Sequence, residues 1–205
     1  MIAMTTITQL LLECDDPETA DRFYSEALGL GDRIRTRATE RSSTGFRGAT
    51  VSLVVPDPGV VDGFMAAGTA AGARAVKPAT RNLFGYGGTL LAPDGTVVTV
   101  ATSSKKPTGA APGTVDELVL QLGVAAVAPS KEFYVACGTE VAQSYGRKYA
   151  SFATGPISLA LLKRSSLAKA AGVAAEGSGS HRLAIVGDLG ELTDPDGFRW
   201  EAPGL

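Results

Sequence analysis

Short apolar runs, broken by Gly, Pro, Asp and Ser, are the main pattern along the chain. The first run covers Ile7 to Leu12, and the pair Asp16-Pro17 follows it. Asp is favoured as a helix N-cap and Pro as the first helical residue, while Gly commonly follows a helix end. Phe23-Tyr24 and Gly29 come next, so the segment predicts a strand and then a short helix.

The same order of features returns in the second half of the chain. An apolar run at Val115 to Leu120 precedes Pro129-Ser130. Phe133-Tyr134 and Gly138 then follow, as Phe23-Tyr24 and Gly29 do in the first half. An internal repeat of this kind predicts two related structural units.

Two further stretches recur in both halves. A strand that begins with Gly and is closed by a turn residue is predicted within residues 48–57 and again within 179–188. Ala92-Pro93-Asp94-Gly95 recurs as Asp194-Pro195-Asp196-Gly197. Pro-Asp-Gly is a strong turn signal, and each turn leads into a predicted short strand, Thr96 to Ala101 and Phe198 to Ala202.

The two halves differ in length. Residues 103–114 are polar, rich in Pro and Gly, and without periodicity, which predicts a linker between domains at 1–102 and 115–205. The first half has room for a helix from Val60 to about Gly72, followed by a strand. The second half has too few residues between Asp188 and Asp194 for a helix and strand, so the second copy is predicted to be shortened. Its other helical candidate is residues 165–171.

Composition excludes several classes of protein. The 205 residues are 44% hydrophobic and 20% charged with a formal charge of −2, which is unlike the basic surface of a nucleic-acid binder. We also expect no membrane partner, since apolar runs do not reach about 20 residues. The N-terminus lacks the features of a signal peptide, and two cysteines are too few for a disulfide framework, so a cytoplasmic location is expected.

The order of strand, Phe-Tyr helix, strands, Gly-led strand, helix and Pro-Asp-Gly turn resembles the vicinal oxygen chelate superfamily. That group includes glyoxalase I, extradiol dioxygenases and bleomycin-resistance proteins. The resemblance implies an α+β fold of tandem βαβββ modules, whose curled mixed sheets form a cleft for a ligand or a metal. In this sequence the second copy would be the shortened one.

The resemblance also implies positions for metal ligands. In the first half they carry Gln9, Thr50 and Thr99, and threonine is a poor ligand for a divalent transition metal, so this half is expected to be metal-free. In the second half they carry Glu117, His181 and Glu201, which could hold Mn, Fe or Zn. The alternative is that both glutamates are surface carboxylates and the histidine a packed or solvated strand residue.

Aromatic and polar residues near the predicted cleft suggest a pocket for a small organic molecule. Such pockets combine apolar walls with a few polar groups. The predicted ligand-binding residues are Gln9, Phe46, Arg47, Thr50, Phe84, Tyr86 and Thr99. Trp200 alternates with Glu201 along its strand and should face the opposite way. Gly177 to Ser180 is expected to form a flexible loop.

Three functions remain open. The favoured one is metal-independent binding that sequesters a drug-like or aromatic molecule, as bleomycin-resistance proteins do, with no cofactor. The second is a metal-dependent lyase, isomerase or dioxygenase that uses a divalent metal. The third is a degenerate module whose second half supports the first or forms a homodimer through an exposed sheet edge.

Overall fold

The computed structural model describes residues 5–83 and 85–204 of the chain. The first half contains β1 (Ile7–Cys14), α1 (Pro17–Arg22) continued by a π-helical turn (Phe23–Ala27), β2 (Ile34–Ala38), β3 (Ser43–Gly45), β4 (Ala49–Val54), α2 (Pro58–Ala70), β5 (Arg74–Asn82), β6 (Gly85–Leu91) and β7 (Val97–Thr102). The second half contains β8 (Glu117–Val124), α3 (Val127–Ala136), β9 (Val141–Tyr145), β10 (Tyr149–Phe152), β11 (Ser158–Lys163), α4 (Arg164–Ala171), β12 (Gly177–Gly179), β13 (Leu183–Gly187), β14 (Leu192–Thr193) and β15 (Arg199–Glu201).

Both halves contribute strands to each of two mixed sheets. The eight-stranded sheet has the order β5-β6-β7-β4-β8-β11-β10-β9, and the halves meet where β4 and β8 pair with Thr50 opposite Gln121. The five-stranded sheet has the order β14-β15-β13-β1-β2, and the halves meet where Leu10 lies opposite Ile185. The described structure is therefore an α+β fold with shared, curled mixed sheets.

One face of each sheet carries the apolar core. Because successive side chains on a strand point to opposite faces, every second residue lies on this core face. The core joins residues of both sheets in one cluster, among them Leu10, Ile185 and Trp200 from the five-stranded sheet and Val51, Leu120 and Leu161 from the eight-stranded sheet. Trp200 is 2% exposed, as the predicted alternation with Glu201 requires.

The shortened second copy is confirmed. Strand β13 leads through a turn at residues 188–190 to β14, where the first half has helix α2 and strand β5. The helix predicted at 165–171 is α4. Residues 177–179 form strand β12, which pairs with β3, so the expectation of a flexible loop there was wrong. The reason is that Gly177 and Gly179 approach the backbone of residues 42–46, which include β3, too closely to leave room for a Cβ atom.

Two buried tyrosines tie the Phe-Tyr helices to the Pro-Asp-Gly turns. Tyr24 Oη donates to Asp94 Oδ1 at 2.8 Å, and Tyr134 Oη donates to Asp194 Oδ2 at 2.7 Å. Burial and the adjacent carboxylate hold the pKa of each tyrosine well above its usual value, so each hydroxyl keeps its proton and donates. These contacts explain why both motifs recur in the repeat.

Removing either tyrosine hydroxyl should destabilise the protein. Tyr24→Phe or Tyr134→Phe leaves a buried carboxylate without one donor, and we expect each to lower the free energy of unfolding by about 1–3 kcal/mol in urea denaturation. Tyr145→Phe, at a side chain that is 64% exposed, is the matched control and should change stability by less than about 0.5 kcal/mol. A Tyr24→Phe variant as stable as the parent protein would contradict an anchoring role.

Asp57 connects helix α2 to the segment between the halves. Its Oδ1 accepts from the backbone N–H groups of Gly59 at 2.9 Å and Val60 at 3.1 Å, which caps the helix. Its Oδ2 accepts from the Thr108 backbone N–H at 2.8 Å and from Thr108 Oγ1 at 2.7 Å. The hydrogen bonds from Thr108, with those from the helix, lower the pKa of Asp57 to about 2.

This shift predicts a pH dependence of stability. The folded-state pKa is about 2 and the ordinary value is 3.8, so the stabilising contribution of the Asp57 carboxylate is present above the ordinary value. It should be lost as the pH falls through the folded-state value. We expect Asp57→Asn to be less stable than the parent protein at neutral pH, and the difference to narrow in acid. A difference in unfolding free energy that stays constant with pH would rule this contribution out.

Candidate functional site

A groove lies on the face of the eight-stranded sheet opposite the core. We call this the groove face, and it carries Thr50, Ser52, Thr99, Gln121 and Ser158. The groove has a volume of about 420 Å³. It is lined by Ser52, Val54, Glu117, Val119, Gln121, Ala142, Gln143, Tyr149, Ser151, Phe152, Ala153 and Ser158. Both halves of the chain are therefore needed to form it.

Most polar groups in the groove are uncharged. Hydroxyl and amide side chains come from β4, β8, β9, β10 and the start of β11, so they reach the groove from five adjacent strands. Glu117 is the charged member of the lining set, and its Oε1 accepts from Ser158 Oγ at 2.5 Å. Such a surface can donate and accept hydrogen bonds without requiring a charged ligand.

Two tyrosines lie at one side of the groove. Tyr149 lines it, and Tyr145 lies opposite Tyr149 on the neighbouring edge strand. Their ring centroids are 5.8 Å apart and the rings are inclined by 37°. Tyr145 is 64% exposed, so an aromatic surface borders the groove and is accessible from solvent. Exposed rings of this kind bind planar apolar groups.

Helix α4 covers the other part of the groove face. Its Leu167, Ala168 and Ala171 pack against Phe46 and Val97 in a small apolar cluster separate from the main core. Beneath this cover Thr50 is fully buried, and its Oγ1 donates to Gln121 Oε1 at 2.9 Å. The open groove is thus what remains of a longer concave face.

Helix α4 is held in place by two cationic side chains. Arg164 donates to the backbone carbonyls of Phe46 and Ala175, and its guanidinium lies over the Phe46 ring. Lys77 Nζ on strand β5 donates to the carbonyl of Ala170 at 3.0 Å. The sequence predicts a helix at residues 165–171 but not its position over the groove face.

The structure places the predicted ligand-binding residues in several environments. Thr50 and Thr99 share the groove face, as their pairing partners show. Tyr86 lies on the opposite face, where its hydroxyl donates to Asp62 of helix α2 at 2.7 Å. Gln9 is on the five-stranded sheet, opposite Val186. Phe84 lies outside the described residues.

Phe46 and Arg47 precede strand β4 and lie beside helix α4. Phe46 is 5% exposed and belongs to the α4 cluster. The Arg47 guanidinium donates to the Asp94 carbonyl at 2.5 Å, while Arg47 Nη1 is buried without a hydrogen-bond partner, 3.7 Å from Asp94 Oδ2. Desolvation lowers the pKa of Arg47. Both side chains border a second depression, of about 400 Å³, at the far side of α4.

The three predicted metal ligands are not brought together. Glu117 belongs to the eight-stranded sheet, whereas Glu201 belongs to the five-stranded sheet. His181 lies two residues before the start of β13, which is also in the five-stranded sheet. His181 Nδ1 lies 2.5 Å from the Arg47 carbonyl oxygen and Nε2 lies 3.1 Å from that of Asp196. Within residues 5–83 and 85–204, no group of three or more His, Cys, Asp or Glu side chains could hold a metal ion.

Glu201 is engaged by arginine. Arg37 Nη2 donates to Glu201 Oε1 at 2.6 Å, and Arg37 Nη1 donates to Oε2 at 3.0 Å. Arg37 and Arg199 also donate to Glu13 Oε1, in a side chain that is only 4% exposed. Burial raises the pKa of Glu13, but the hydrogen bonds and positive charges of these arginines outweigh burial and lower it.

Several groove residues were not identified in the sequence, namely Ser52, Gln121, Gln143, Ser151 and Ser158. For some of these residues the sequence does contain a signal. On β8, Val119 and Gln121 alternate with Leu118, Leu120 and Leu122, so the polar Gln121 indicates which face is not core. Identifying Ser151 also requires the order of strands in the sheet.

The sequence matches no protein-family model and none of the curated proteins with which it was compared. Solved structures do match. Glyoxalase I from Zea mays has a TM-score of 0.62 at 14% identity, and the match covers 97% of this chain and 92% of that one. A putative dioxygenase from Bacillus subtilis subsp. subtilis str. 168 has a TM-score of 0.56 at 12% identity, covering 91% of this chain and 71% of that one.

These likenesses define the fold class. The chain has the fold of the vicinal oxygen chelate superfamily, with strands of both halves in each sheet. At 12–14% identity they establish the fold alone. Among the described residues, no helix is long and apolar enough to cross a membrane.

The buried Glu13 carboxylate should be important for stability. Glu13→Gln removes a buried negative charge that pairs with Arg37 and Arg199 on the five-stranded sheet. Both arginines are partly exposed and keep Glu201 as a partner, so the main loss is that of charged hydrogen bonds, and we expect the free energy of unfolding to fall by about 1–3 kcal/mol. Glu26→Gln, at an exposed position, is the control and should be close to neutral. Equal effects of the two substitutions in urea denaturation would show that the Glu13 network is not stabilising.

Proposed function

We propose that this protein binds a small organic molecule in the groove of the eight-stranded sheet without using a metal ion. The observation that carries this proposal is the composition of the groove, which combines uncharged hydroxyl and amide groups with an adjacent pair of tyrosines. A volume of about 420 Å³ is in the range of pockets for small organic ligands.

The groove offers both affinity and orientation. Val54, Val119 and Phe152 supply apolar lining, and Tyr149 supplies an aromatic ring against which a planar group can stack. Gln121, Gln143 and the serine hydroxyls supply hydrogen bonds that fix the orientation of the ligand. The proposed ligand is therefore a drug-like or aromatic molecule with several hydrogen-bonding groups.

The donors that a metal would need do not fit this role. Both His181 nitrogens face backbone carbonyl oxygens, and the Glu201 carboxylate is bound by Arg37. A metal site made of His181, Glu201 and Glu117 would require these contacts to break and Glu117, which is on the other sheet, to move next to the other two residues. We therefore favour binding over metal-dependent lyase, isomerase or dioxygenase chemistry.

A binding protein of this kind would act by sequestration, and in this way it would confer resistance to an antibiotic or to bleomycin. The protein would hold the molecule in the cytoplasm and lower its free concentration. Sequestration needs affinity but no catalytic group, in keeping with the uncharged polar groups of the groove.

Ligand screening by thermal shift tests the proposal. A ligand that binds only the folded protein raises its melting temperature, so we expect members of a panel of aromatic, drug-like molecules to do so. Tyr149→Ala should weaken binding roughly fivefold to tenfold because the stacking surface is lost. Tyr86→Ala is the matched control, since Tyr86 lies on the opposite face, and it should leave affinity unchanged. An equal loss of affinity in Tyr149→Ala and Tyr86→Ala, or no rise in melting temperature with any compound of the panel, would contradict binding in this groove.

A further inference from the structure

The groove has an uneven distribution of charge. Glu117 is the charged residue among those that line it, and its carboxylate is exposed. Within the described part of the chain Glu117 forms no ion pair, and its one hydrogen bond to a side chain comes from Ser158. The neighbouring Asp116 is also exposed. This end of the groove therefore carries negative charge that the protein does not neutralise by ion pairing.

The tyrosines lie at the other end of the groove. Tyr149 pairs with Leu162, which in turn pairs with Gly123, the sixth residue after Glu117 on strand β8. At about 3.3 Å per residue, the two ends are roughly 20 Å apart along the strand direction. A ligand that uses both ends must be elongated.

The charged residues near the two ends of the groove determine which part of such a ligand lies at each end. Arg147 and Lys148 are exposed in the turn that joins Tyr145 to Tyr149, so the tyrosine end has basic neighbours. They repel a positively charged group, whereas Glu117 and Asp116 attract it. The aromatic part of a ligand would thus lie against Tyr149 and a positive group near Glu117.

We propose that the groove selects elongated organic cations, in which an aromatic group is joined by a chain to an amine. The amine would pair with the Glu117 carboxylate, and the chain would lie over Val119 and the hydroxyl groups of the groove. This inference rests on the proposed function, because it specifies the ligand class of the same groove.

Phenylalkylamines of increasing chain length test this inference against phenylalkyl alcohols of the same length. We expect each long-chain amine to bind roughly threefold to fivefold more tightly than its alcohol, as a solvent-exposed ion pair allows. The difference should shrink at high salt, because exposed charges are screened. In Glu117→Gln, amine and alcohol should bind equally in titration calorimetry.

Glu132→Gln on helix α3 is the matched control, because Glu132 is exposed but outside the groove lining. It should preserve the preference for amines. If amines and alcohols bind the parent protein equally and Tyr149→Ala weakens both, selection of cations is overturned while the proposed function stands. If no compound binds, or if binding is insensitive to both Tyr149→Ala and Glu117→Gln, the proposed function fails with it.

Discussion

The fold depends on a buried hydrogen bond between a tyrosine and an aspartate, made once in each half. Tyr24 and Tyr134 fix their helices to the turns that precede β7 and β15. Asp94 also accepts from Thr96, and Asp194 accepts from the backbone N–H groups of Asp196 and Phe198, so each carboxylate organises its own turn. Without these bonds a buried charge would be left without its helical donor, and the last strand of each half would lose its anchor.

These anchored strands combine into sheets that neither half can complete. β7 supports β4, and β4 pairs with β8 of the second half, where Thr50 and Gln121 meet beneath helix α4. The open groove begins where helix α4 no longer covers the groove face of the eight-stranded sheet. The connection between β11 and β13 therefore sets the size of the groove, because its helix fills the part of the concave face around Val97.

Much of the local structure could be predicted from the sequence. Apolar alternation, the Asp16-Pro17 helix start and the Pro-Asp-Gly turns are local signals, and the missing helix after Asp188 follows from length alone. The pairing of β4 with β8 and the position of α4 could not be predicted, since they depend on contacts between residues far apart in sequence. For the same reason Glu117 and Glu201 match family positions in the sequence yet lie in different sheets.

Arginine on the five-stranded sheet binds Glu201. A residue that matches a metal-ligand position in the sequence is therefore not available to form a metal site. Gln9 and Glu201 share one face of that sheet, since both lie opposite Val186. There Arg37 occupies both carboxylate oxygens of Glu201 and also contacts Glu13. Freeing Glu201 for another ligand would leave the Arg37 charge partly uncompensated in a half-buried position, which is costly. The Glu201 carboxylate therefore serves to hold strands of the five-stranded sheet together, and this is why the proposed binding surface is the groove on the other sheet, where the polar side chains are mostly uncharged.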